Sequence, residues 1–237
     1  MFSSEYWYIG LLTLLLLTMQ VFAILYLARH KWTSRITLWI LAAFILAMQI
    51  VDLAKGNFYI AFSTIAFWLF ILGVIIPWRP FKVVSVYFCM LAGGMYTAGF
   101  LLRPELMTHM GPFGIHYMSG FLTHDILVVG ALIMLSQFKI KKYDLAVIGG
   151  VFAIAVVFAE LSAHVFHLDG VNGFFVGMIE GTVFKDELFH DMQLTWWWYI
   201  LWYVFMLALL WGLWELIRFT NKRLLKYDNV MKGKLVW

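Results

Sequence analysis

A single cysteine, Cys89, stands in 237 residues. It excludes an intrachain disulfide and any zinc or iron–sulfur site built from several thiolates. In the middle of an apolar segment it reads as a small buried hydrophobe. Charge is scarce too, with Asp, Glu, Lys and Arg making up 13% of the chain. No soluble basic domain carries the net charge of +4, so the charge gives no ground for nucleic-acid binding. Internal repeats and low-complexity linkers are absent, which leaves 1–237 as one domain. The first apolar run lacks a basic leading region and a small-residue cleavage site. It is therefore read as a span and not as a cleavable signal peptide.

Apolar residues dominate instead, at 64% of the chain, with mean hydropathy +0.88. A membrane span takes about 20 of them. Such runs fall at Trp7–Leu27, Ile36–Leu53, Phe58–Pro77, Val83–Leu102, Gly114–Gln137, Leu145–Ala163 and Trp196–Phe219. Between charged joints they cross only as helices, because a helix satisfies its own backbone hydrogen bonds. The predicted fold class is all-α, a polytopic bundle of about seven transmembrane helices.

Fourteen of the 17 Lys and Arg residues gather on one side of that threading. They are Arg29, Lys31 and Arg35, then Arg79 and Lys82, then Lys139, Lys141 and Lys142, and six in the tail from Arg218. The other side holds Lys55, Arg103 and Lys185. The positive-inside rule puts the N-terminus outside and the C-terminus in the cytoplasm of a multi-pass cell-membrane protein. The basic joints then anchor to anionic lipid headgroups at the cytoplasmic face. The outer loop 164–195, rich in Gly around Phe174 and Phe175, is expected to be interfacial or lid-like. Trp196–Tyr199 is expected to anchor the outer interface, and Trp211 and Trp214 the inner one. Ala92, Gly93, Gly94, Ala98 and Gly99 predict close helix packing in the fourth span, and Gly149 and Gly150 predict the same in the sixth.

Polar residues collect in the outer half. His124 and Asp125 lie well inside the fifth span, where a charge costs about 2.5–3.5 kcal/mol on insertion scales. Gly120, His124 and Ala131 share a stripe, so His124 points into the bundle with small residues beside it. Ser63 and Thr64 sit in the outer part of the third span. His116, Glu160, His164 and Arg103 add to the same rim, and Asp52 closes the second span.

Three chemistries use such a set. Acyl transfer or lipid hydrolysis takes Ser63 or Thr64 as nucleophile and His124 as base, with Asp125 or Asp52 orienting the imidazole. For Ser63 the plainer alternative is a hydroxyl bonded to its own i−4 carbonyl. Metal binding would use Glu160, His164 and His167 at i, i+4 and i+7, but no HExxH motif appears and solvated rim residues explain the spacing better. Haem between His124 and His164 ranks last, because paired histidines in the spans are few. A retinal Schiff base is disfavoured because the seventh span has no lysine. No metal and no cofactor is expected.

From Tyr87 through the last span the chain resembles the YwaF-like integral membrane family. That family is similar to a eukaryotic transmembrane acyltransferase of phospholipid remodelling, and more distantly to integral membrane threonine hydrolases. The matching features are Gly93–Gly94, the stretch Leu101-Leu102-Arg103-Pro104-Glu105-Leu106, the run leading to His124, and Trp196-Trp197-Trp198-Tyr199-Ile200. The resemblance implies a histidine role for His124 and a nucleophile at or beside Ser63. There the chain departs from the family, since the Pro, His and Cys of a Leu-Pro-Leu-His-Leu-Cys-like stretch are missing. A hydroxyl depends on its base more than a thiol does.

The expected function is an acyltransferase or lipid hydrolase working from the outer half of the bilayer. His124, Ser63, Thr64 and Asp125 are the catalytic candidates, and Arg103, Glu160, His164 and His116 the substrate contacts. The alternative is a non-enzymatic transporter or binding protein whose outer acidic and histidine vestibule takes a cation or a proton.

Overall fold

The computed structural model describes residues 7–55, 62–102, 115–165 and 196–231. Among the described residues there are seven helices and no strand. They are α1 (Trp7–Arg29), α2 (Lys31–Ala54), α3 (Phe62–Ile75), α4 (Arg79–Leu102), α5 (Ile115–Leu135), α6 (Asp144–His164) and α7 (Trp196–Met231). Three contain stretches long and apolar enough to cross a membrane: Lys31–Ala54, Arg79–Ala98 and Val204–Lys226. Shorter apolar stretches lie in the other four helices.

The surface is apolar in the way a lipid-facing surface must be. Phe22, Ile40, Ile154, Val204 and Leu207 are all exposed. A water-soluble monomer rarely shows apolar faces of this extent. On α2 the buried residues Ser34, Leu38, Ala42, Ile45 and Gln49 recur every three or four positions, so one stripe faces the bundle. Trp39, Ile40, Ile50 and Val51 face outward. The chain is read as an integral membrane protein on these two observations together.

Helix α4 is the centre. It packs against α1, α3, α5, α6 and α7. Its residues from Val83 to Cys89 are buried without interruption, as expected of a helix surrounded on all sides. Cys89 itself is fully buried, as expected of a small core hydrophobe. Gly93 sets the closest approach of α4 to α5: a Cβ there would stand 2.5 Å from the His124 carbonyl oxygen. Three other small residues behave differently from expectation. A Cβ on Gly94, Gly149 or Gly150 meets nothing within 4 Å, so these glycines do not draw helices together. Trp214 also departs from the interfacial role expected of it. It is 2% exposed and fills the core, whereas Trp211 is exposed.

The basic joints meet at one end of the bundle, where side chains tie them together. Arg79, at the start of α4, donates to the Lys139 carbonyl, to the Tyr143 hydroxyl and to the Asp144 carboxylate. Asp144 opens α6, where a negative charge suits the helix dipole. It also accepts the Lys141 backbone N–H at 2.7 Å. Gln137 donates to Ser34 of α2 at 2.7 Å. Asn221 of α7, 2% exposed, donates to the Leu135 and Phe138 carbonyls at 2.7 and 2.8 Å and accepts the Ile140 N–H at 3.0 Å. Arg79, Asp144 and Asn221 thereby satisfy backbone groups of the joint between α5 and α6, while Gln137 ties that joint to α2.

Candidate functional site

Successive residues on a helix point about 100° apart. His124 and Asp125, adjacent on α5, therefore serve different neighbours. His124 turns toward α3 and α4. Its ring stacks on Tyr96, with centroids 4.0 Å apart and planes 11° apart. The Phe67 ring meets it edge-on at 5.2 Å. Nδ1 lies 2.8 Å from the Gly120 carbonyl one turn earlier. A carbonyl only accepts, so Nδ1 carries the hydrogen and Nε2 is the basic nitrogen of the neutral ring. Gly120 has to be small here, since a Cβ would come within 2.9 Å of the Tyr96 hydroxyl. The space expected beside His124 is thus occupied by two aromatic rings.

Asp125 turns toward α1. Its carboxylate accepts from Gln20 Nε2 at 2.5 Å. The residue is 6% exposed, and its second oxygen, Oδ1, is buried with no hydrogen-bond partner among the described residues. Thr97 Oγ1 on α4 is likewise buried and without a partner among them. Asp125 therefore bonds to an amide on α1 and does not orient the imidazole. The Gly120 carbonyl holds that ring instead.

The hydroxyl candidates belong to the first turn of α3. Phe67, at the imidazole edge, is four residues after Ser63 and three after Thr64. One helical turn, about 5 Å, separates them along the axis. Thr64 is half-buried, and no hydrogen bond joins it to His124. Ser63 lies on α3, but its side chain falls outside the described residues, as do those of His116 on α5 and Glu160 and His164 on α6. Arg103, His167 and nearly all of the loop 164–195 also lie outside them. Asp52 is half-buried near the end of α2 and takes no part in the described contacts of His124. Among the described residues, no group of three His, Cys, Asp or Glu stands close enough to hold a metal.

Sequence reasoning passed over Gln20 and Tyr96. An amide inside the apolar run Leu14–Leu27 was the available signal for Gln20. Tyr96 had none, because an aromatic residue in a span is ordinarily packing.

The chain matches no family model, no curated protein and no solved structure.

Proposed function

We propose that this chain is a seven-span protein of the cell membrane, N-terminus outside, that transfers or hydrolyses lipid acyl chains in the outer half of the bilayer. The observation that carries the reading is the state of His124. Its Nδ1 is pinned to a backbone carbonyl, its face is covered by Tyr96, and Nε2 remains the basic nitrogen of a ring that meets Phe67, which follows the Ser63–Thr64 pair by about one turn of α3. A base held by a third group is half of the arrangement that activates a weak nucleophile, and the reading supplies the other half by bringing the Ser63 or Thr64 hydroxyl within reach of Nε2. It is also the role that the resemblance to the YwaF-like family implies.

In this reading the Ser63 or Thr64 hydroxyl attacks the ester carbonyl carbon of a lipid. Its proton passes to His124 Nε2 as the new C–O bond forms. Collapse of the tetrahedral intermediate breaks the bond to the leaving alcohol, which takes the proton from Nε2. Water or a second alcohol then attacks the acyl-enzyme by the same route in reverse. Arg103 contacts the headgroup phosphate. Glu160, His164 and His116 are the further substrate contacts of this reading.

The test is labelling of the purified protein with a serine-directed fluorophosphonate. Wild type should label; Ser63→Ala or Thr64→Ala should abolish the signal, and His124→Ala should reduce it sharply. Undiminished lipid turnover by a folded His124→Ala protein would remove the enzyme assignment.

A second reading is supported by Asp125. A buried carboxylate oxygen and the Thr97 hydroxyl, both without partners among the described residues, suit a site that takes a proton or a small cation. Under this reading wild type does not label with the fluorophosphonate, and Asp125→Asn abolishes ion-dependent stabilisation. The enzyme reading predicts labelling of wild type that falls sharply in His124→Ala.

A further inference from the structure

A cleft of about 470 Å³ opens at the basic end of the bundle, far from His124. Four helices and two joints border it. Its polar wall carries Lys31 and Arg35 of α2 and Arg79 and Lys82 of α4. Among the described residues no Asp or Glu lines it. Arg79 is engaged by Asp144, but among the described residues Lys31, Arg35 and Lys82 form no ion pair. Lys82 is half-buried, and Arg35 stands close enough for its charge to act on it. Like charges gathered in a partly desolvated recess repel one another, and a bound anion relieves that repulsion. Both α2 and α4 also begin here, so the positive ends of two helix dipoles point the same way.

The remaining wall is apolar. Leu38, Val74 and Met134 line it, and Trp39 and Ile75 stand exposed on it beside the lipid-facing surface. A free inorganic anion has no use for such a wall. An amphiphile has: its phosphate meets the cations while an acyl chain lies against Trp39 and Ile75.

We infer that this cleft is a stoichiometric site for the phosphate headgroup of an anionic lipid, held by Lys31, Arg35 and Lys82. It differs from diffuse attraction of a basic surface to an anionic leaflet, because the cations line one cleft. It does not depend on the His124 reading, nor on which side of the membrane the basic end faces.

The test uses the full chain, delipidated in neutral detergent. Thermal unfolding is followed with added dioleoyl phosphatidic acid, dioleoyl phosphatidylcholine or inorganic phosphate. The phosphatidic acid should raise the midpoint in a saturable way, since a ligand bound only by the folded state stabilises it. The other two should not. Losing a hydrogen bond to a charged group weakens binding by about tenfold or more. Arg35→Gln with Lys82→Gln should therefore need at least about tenfold more phosphatidic acid for the same shift. Lys142→Gln with Lys222→Gln removes equal charge from exposed positions at the same end and should behave as wild type. Equal loss in that control pair would overturn the site in favour of a diffuse surface effect. An equal shift with phosphatidylcholine would overturn the headgroup assignment. An equal shift with phosphate alone would overturn the lipid. Should the double variant not fold, Lys31→Gln, at the exposed start of α2, takes its place; an unchanged response there overturns the proposal.

Discussion

The bond between Gln20 and Asp125 joins α1 to α5 inside the bundle, and a double-mutant cycle measures it. Four proteins are compared: wild type, Gln20→Leu, Asp125→Leu and the double variant. The bond is 2.5 Å long, and Asp125 is 6% exposed, so water offers little substitute. Interhelical hydrogen bonds in bilayers average about 0.6 kcal/mol and reach about 1.7 kcal/mol. A bond to a carboxylate in a dry position belongs at the upper end, so the coupling energy should be about 1–2 kcal/mol. Each single variant strands one polar partner; the double variant strands neither. With roughly 2–4 °C of midpoint per kcal/mol for a chain of this size, the double variant should melt several degrees above the sum of the single losses. Asp125→Asn keeps an oxygen for Gln20 and removes the intramembrane charge, so it should melt at or above wild type. The assay is thermal unfolding in one detergent for all five proteins. Single losses that add to within about 0.5 kcal/mol would refute the coupling. An Asp125→Asn protein weaker by more than about 2 kcal/mol would show that the carboxylate has a charged partner missing from this geometry.

Other substitutions probe other contacts. Gly93→Ala drives a methyl into the His124 carbonyl and Val128; overpacking of this kind should lower stability by about 1–3 kcal/mol, read as a lower melting midpoint. Asn221→Ala strands two carbonyls and one N–H and should cost about 3 kcal/mol, whereas Asn221→Asp should do no better, because its second oxygen would face the Leu135 and Phe138 carbonyls. Cysteines introduced at Lys141 and Asp186 should label from opposite faces of intact cells, Lys141 from the cytoplasmic one. Labelling of both from outside would refute the orientation and the outer-half site with it.

The seven helices were legible because each apolar run is bounded by charge, and hydropathy reads that directly. Their ends were less so. Helix α7 continues to Met231, twelve residues beyond the apolar run that ended at Phe219. Its extension is amphipathic: Asn221 and Leu224 are buried while Lys222 and Arg223 face out, a pattern that mean hydropathy averages away. His124 was legible because an intramembrane ionisable side chain is costly and needs a reason. Its surroundings were not. Tyr96 and Phe67 reach it from two other helices, and sequence carries no record of which rings meet. Gln20 pairs with a residue 105 positions away. Gly149 and Gly150 show the reverse failure: a small-residue pair permits close packing but does not bring a neighbour to it.

Asn221 has a consequence for how the protein is made. Its three partners, Leu135, Phe138 and Ile140, leave the ribosome more than 80 residues before it does. Through that interval the turn between α5 and α6 has two carbonyls and an amide with their eventual partner still unsynthesised. They depend on water at the membrane edge until α7 arrives. Insertion of the last helix is thus the step that closes the basic end, and a nascent chain truncated before residue 221 should expose that turn to protease while one extended past α7 should not.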